Sequence, residues 1–205
     1  MPTSYSKFTL DDFPSLGISV KEGTVFDKAA IAPIEPSDAL VKTLDKNRMK
    51  KLRSEKAKCE YLITPILSEI EERNSPNVAV FSGYSFDVDK AKGLKGFCDY
   101  VLSFEAQALN IEAPVFSVVE AKNENLYTGV PQCIAELYAA SIFNARKNKH
   151  LPVIYGASTF GLQWKFIRFS DMEAVVDYEI YYINELPKLL GVLQHIVNIQ
   201  NSHSV

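Results

Sequence analysis

Three charged residues stand in two of the most apolar segments of this 205-residue chain: Asp99 in "GFCDYVLSF", and Glu120 and Lys122 at the end of "APVFSVVEAK". Charges are seldom buried unless they are paired or hold a metal. These segments therefore end either in water or at a built site. Alternate side chains share one face of a strand, which groups Phe116, Val118, Glu120 and Lys122, two apolar residues followed by two charged ones. Asp99 has Phe97 and Val101 beside it on its own face, so its carboxylate is expected to be half-buried and to need a partner. If the two strands pair, Asp99 reaches Glu120 and Lys122.

Such a trio suits metal-assisted phosphodiester hydrolysis. Two carboxylates can hold a hard cation such as Mg²⁺, with Mn²⁺ as a substitute, that keeps some waters and takes the scissile phosphate as a ligand. The metal lowers the pKa of one water and offsets charge on the phosphate. A lysine two residues beyond the second carboxylate can orient that water or help deprotonate it. The alternative is an ion pair of Asp99 with Lys122, with Glu120 in solvent.

The elements that must position this trio follow from periodicity. Residues 1–37, rich in Pro, Ser and Gly, read as an arm lying on a single domain of residues 38–205, with a hairpin at Glu22-Gly23. Ser37 or Asp38 caps a helix running to about residue 53, and a second apolar helical face is interrupted by Pro65. Strands follow over 77–89, 96–104 and 113–122. A helix with Pro131 in its first turn carries Gln132 and Glu136 on one face. Strands at 151–159, 162–170 and 175–183 then lead to a last helix capped by Asn184. The order α, βββ, α, βββ, α predicts an α/β (α+β) architecture, a mixed sheet with helices on both faces.

Asp99, about twenty residues, then Glu120-Ala121-Lys122 resembles the pattern of the PD-(D/E)XK nuclease superfamily, the restriction-endonuclease-like fold. The resemblance spans roughly residues 55–170 and extends to "GASTFGLQWKF", which looks like the turn and strand that follow in nuclease domains of type I restriction subunits. It implies that Asp99 and Glu120 bind the metal with the carbonyl of Ala121, and that Lys122 is catalytic. It also makes Glu60 the acid that completes the site from a preceding helix, and Gln132 a supporting catalytic residue. Cys98 stands where the name-giving proline would be. An E-x-K triplet alone is common; its specificity comes from its place after a strand with Asp and before a helix with Gln.

Charge supplies a second motif. Residues 42–58 hold eight of the 22 basic residues against only Asp45 and Glu55, a local +6 in a chain of net charge −3. Lys46, Lys50 and Arg53, at i, i+4 and i+7, would form a helical stripe touching DNA phosphates; the plainer reading is a solvated face. Cys59, Cys98 and Cys133 lack metal-ligand spacing and fit reduced thiols. The start lacks the pattern of a signal peptide and no long apolar run suggests a membrane span, so the expectation is a cytoplasmic protein. Trp164 and the pair Tyr181-Tyr182 read as core. His150, His195 and His203 lack ligand spacing. Leu186, Leu190, Leu193 and Val197 form a stripe that packs on the sheet or extends into a homodimer interface. The expected function is a Mg²⁺-dependent DNA endonuclease. Its rival is a non-catalytic protein of the same fold serving as a dimerisation or partner-binding module.

Overall fold

Residues Val115–Ala121, strand β4, are buried at all seven positions, as befits a strand with neighbours on both edges and helices over both faces. In the computed structural model, which describes residues 2–105 and 109–203 (the His203 side chain apart), β4 lies inside an eight-stranded mixed sheet. The other strands are β1 Ser19–Gly23, β2 Ala79–Ser85, β3 Phe97–Ser103, β5 Ile154–Thr159, β6 Gln163–Ser170, β7 Glu173–Asp177 and β8 Tyr181–Tyr182. Their order is β1-β7-β6-β5-β4-β3-β2, with β8 on β6. β2, β3 and β4 form an antiparallel meander. Helix α4, Val130–Arg146, then carries the chain to β5, which lies parallel to β4. β6 and β7 continue antiparallel, and β1 closes the far edge parallel to β7. The chain is mixed α/β.

Helices cover both faces. On one, α4 lies over the row containing Gly156, where a Cβ would press on Cys133 Sγ and Leu137; glycine permits that close approach. On the other, the Tyr100 hydroxyl is 2.9 Å from Thr64 Oγ1 of α3, Thr64–Arg73. There too Phe26 stacks on Tyr155 and meets His195 of α5, Leu186–His203.

Pro65 produces a local rearrangement. It has no N–H to offer the carbonyl four residues back, and its ring crowds that carbonyl. The chain widens into a π-helical turn over Cys59–Ile63, between α2, Glu55–Lys58, and α3. The Tyr61 carbonyl, which a non-proline residue at 65 would have satisfied, accepts instead from Asn47 Nδ2 at 2.8 Å. Asn47 belongs to α1, Asp38–Arg48, so the side chain ties two helices together at the break.

Several expectations need correction. Glu22-Gly23 is not a hairpin turn: both residues lie in β1, which pairs with β7, and Tyr5, Phe13, Ile18 and Phe26 of the first 37 residues enter the core. α1 stops at Arg48, and Ser54 caps a new helix by accepting from Ala57 N. The strand expected over 175–183 is split: β7 and β8 pair with successive parts of β6, and the residues between them bulge out. Asn184 lies in a 3₁₀ turn, Ile183–Glu185, before α5. Of the last-helix stripe, Leu190, Leu193 and Val197 are buried in the core and Leu186 is partly buried against it. Trp164 and Tyr181 are core, whereas Tyr182 is partly exposed. No helix among the described residues is long and apolar enough to cross a membrane.

Candidate functional site

Register places the central residues. Tyr100 of β3 faces Val119 of β4, so one step further Asp99 faces Glu120 across the antiparallel pair. The contact is explicit in the backbone, where Ala121 N donates to Asp99 Oδ2 at 2.7 Å. On the other side of β4, Glu120 pairs with Ser158 of β5, and Ser158 with Lys165 of β6. One polar row, Asp99, Glu120, Ser158, Lys165, therefore crosses four strands on the face under α4.

Lys122 follows the last residue of β4 and turns back. Its Nζ donates to Glu120 Oε1, and also to Gln132 Oε1 at 3.1 Å. The Gln132 amide nitrogen donates in turn to Glu136 Oε1 at 3.1 Å. Gln132 and Glu136 share a face of α4 because they are four residues apart. Glu120 is 2% exposed and Glu136 is completely buried. The ion pair that forms is thus Lys122 with Glu120, not Lys122 with Asp99.

Three carboxyls now share one lysine in a poorly solvated place. Burial pushes the carboxyl of Glu120 far above the ordinary range, the charges of Glu136 and Asp99 push it further, and Lys122 only partly opposes them. Burial likewise raises Glu136 and Asp99, the latter against the Ala121 N–H and Lys122. For Lys122, burial works to strip the proton, but the charge and hydrogen bond of Glu120 outweigh it, and its pKa is raised. Glu120 Oε2 and Glu136 Oε2 are buried with no hydrogen-bond partner among the described residues, which marks a deficit of positive charge and donors.

The other candidates fall into two groups. Ala121 is fully buried at the end of β4, next to Glu120 and with its N–H on Asp99. Glu60 is not brought in: it sits in the π turn, half-exposed, with Lys56 Nζ at 4.0 Å. Glu55, at the start of α2, is instead the helix acid whose charge is felt at Lys122. Glu55 and Asp99 line one groove of about 200 Å³ with Cys59, Gly83 and Tyr100. Gly83 stands opposite Asp99 in β2, with φ of 68° and open space where a Cβ would be. Lys46, Lys50 and Arg53 do not form a helical stripe, because α1 ends before two of them; Lys50 lies 3.4 Å above the Tyr61 ring. From the basic run it is Lys58 that reaches toward the site, donating to the carbonyl of Asn123.

Two contributors carried no sequence signal strong enough to single them out. Gly129, before α4, lies so close to Ser158 Oγ and the Lys122 stem that a Cβ would collide with both. Asn144, near the other end of α4, accepts from Val115 N at 2.8 Å and donates to Val115 O at 2.7 Å. Both act through contacts distant in sequence, which no local pattern records.

No group of three His, Cys, Asp or Glu side chains among the described residues is arranged as a metal cage. Magnesium seldom uses one: it takes one or two carboxylates and fills its shell with water and substrate phosphate. The pair Asp99 and Glu120, with an orphaned oxygen on Glu120 and excess negative charge around it, fits that mode. No protein-family model, no curated protein and no solved structure matches this chain.

Proposed function

We propose that the chain is a metal-dependent nuclease that hydrolyses DNA phosphodiester bonds at Asp99, Glu120 and Lys122. The observation that carries this reading is the pairing of a buried carboxyl, Glu120, with a partly buried one, Asp99, aligned across β3 and β4 with the Lys122 amine fixed beside them. Asp99 and Glu120, with the Ala121 carbonyl, are the groups that would hold Mg²⁺. When bound, the ion supplies a water of lowered pKa and neutralises charge on the phosphate. Lys122, seated on Glu120 and Gln132, is placed to donate hydrogen bonds to the attacking water or to a phosphate oxygen. Gln132 holds that amine from the far side, and Glu136 holds Gln132. The resemblance of Asp99 and Glu120-Ala121-Lys122 to the PD-(D/E)XK pattern points the same way.

The test is cleavage of plasmid and of linear DNA with Mg²⁺ or Mn²⁺, comparing the parent with Asp99→Asn and Lys122→Met. Metal-dependent cleavage by the parent that falls by about a hundredfold or more in both variants is expected, in line with the removal of a preorganised charge at a reacting group. A parent that neither cleaves nor gains stability with metal would overturn this reading in favour of a dimerisation or partner-binding module.

A further inference from the structure

The polar row that starts at Asp99 ends on Lys165, a lysine only 2% exposed. Its Nζ donates to the carbonyl of Tyr178 at 3.4 Å and lies 5.5 Å from the centroid of the Tyr127 ring. Both tyrosines are themselves exposed, Tyr127 by 55% and Tyr178 by 64%. A buried cation thus ties together two loops, each presenting a large aromatic side chain to water. An aromatic ring in contact with a cation is polarised and held in place.

The Tyr127 loop is rigid for other reasons. Ser158 Oγ donates to Leu126 O at 2.6 Å, Tyr127 N donates to Asn125 Oδ1 at 2.9 Å, and Thr128 Oγ1 donates to Asn125 O at 2.7 Å. Two residues on, Gly129 is wedged against Ser158 and the Lys122 stem. The loop therefore has little freedom, and the Tyr127 ring is displayed, not folded away. Lys165, which the ring contacts, lies two strands from Glu120, roughly 10 Å across the sheet.

We infer that Tyr127, backed by Lys165, is a stacking platform for an unpaired nucleobase next to the scissile phosphate. The ligand class is single-stranded nucleic acid, or a duplex with an unpaired end or flap. A base has an apolar face that stacks on an exposed ring whatever its sequence, whereas a paired base has its faces occupied by its neighbours. The inference rests on the nuclease reading for its substrate but is measured separately from it.

The experiment is fluorescence anisotropy of a labelled twelve-nucleotide oligothymidylate and of a duplex of the same length, in EDTA so that nothing is cleaved. Tyr127→Ala should weaken single-strand binding about tenfold, the low end of what one base–aromatic stack is worth, and leave duplex binding unchanged. Tyr127→Trp should bind the single strand at least as well as the parent. Unchanged melting temperatures would show both variants folded. Equal affinity of parent and Tyr127→Ala, equal weakening on both probes, or no single-strand binding by the parent would each overturn the platform. Metal-dependent cleavage with no Tyr127 effect leaves the nuclease and removes the platform. Tyr127-dependent binding with no cleavage under any metal does the reverse.

Discussion

The side-chain amide of Gln132 donates to Glu136 and accepts from Lys122, each at 3.1 Å, and this fixes which way the amide faces. With its nitrogen committed to Glu136, only the oxygen is left for the Lys122 amine. Glu136→Gln keeps an acceptor oxygen in place, so activity should stay within a few-fold of the parent. Glu136→Leu removes it, freeing the amide to turn. A drop of about tenfold in turnover is expected, comparable to one charge-assisted hydrogen bond. Steady-state rates for the two variants separate the cases.

Glu136→Gln should also change how stability responds to pH. The folded protein holds the protons of Glu120, Glu136 and Asp99 more tightly than the unfolded chain does. The sign follows: this contribution to stability is present in acid and is lost as pH rises from about 4, where unfolded carboxyls ionise, through the raised values of the folded state. Removing one such group should make the variant progressively more stable relative to the parent as pH increases. Melting temperatures between about pH 4.5 and 8 check this, and a constant difference would contradict it.

Asp99→Asn tests whether the carboxylates repel or support one another. The asparagine oxygen can still accept from Ala121 N, and one negative charge is gone from beside Glu120. Without metal, the melting temperature should be unchanged or higher. The parent should gain about 2.7 kcal/mol at a metal concentration roughly 100 times its dissociation constant, and the variant little. A lower melting temperature for the variant, together with no Mn²⁺ effect on the parent, would sink the metal site.

Away from the site, Asn47→Ala deprives the Tyr61 carbonyl of the side-chain donor that serves it at the Pro65 break. The expected cost is about 1–3 kcal/mol if that oxygen stays buried. Pro65→Ala should lessen the cost of Asn47→Ala, since the restored N–H can donate to Tyr61 in a regular helix. A double-mutant cycle by urea denaturation measures that coupling.

For the basic segment, the end of α1 at Arg48 leaves Lys46, Lys50 and Arg53 as separate charges and not a helical stripe. Removing one phosphate-neutralising charge should flatten the dependence of log affinity on log salt by about 0.9 for duplex DNA. An unchanged slope in the triple-alanine variant would leave the segment as solvated surface, with Lys58 the member that reaches the site.

The sheet is legible in the sequence because β3, β4 and the helix after them are long, apolar and bounded by turn residues, so period alone locates Asp99, Glu120, Lys122 and Gln132 on adjoining elements. The misplacements share a cause. The resemblance takes Glu60 from its place on a preceding helix, whereas its side chain lies half-exposed in the π turn beside Lys56. The split of the 175–183 strand, with Asp177 buried at its bulge, depends on pairing with β6. Glu136 stands in plain view four residues from Gln132, yet its weight comes from Glu120 lying beneath it, a relation between distant segments.

Helix α4 is fastened to β4 at two places twelve residues apart. Gln132 reaches the Lys122–Glu120 end, and Asn144 grips both backbone groups of Val115 at the other. Twelve helical residues rise roughly 18 Å, close to the length of the strand they span, so the pair works as a ruler read at both ends. Substitutions between the marks change only what lies along the ruler. Adding or removing a single residue would instead swing one mark by roughly 100° about the helix axis, detaching either Val115 or Lys122. For anyone re-engineering this chain, the length of α4 is as fixed as the buried residues along it.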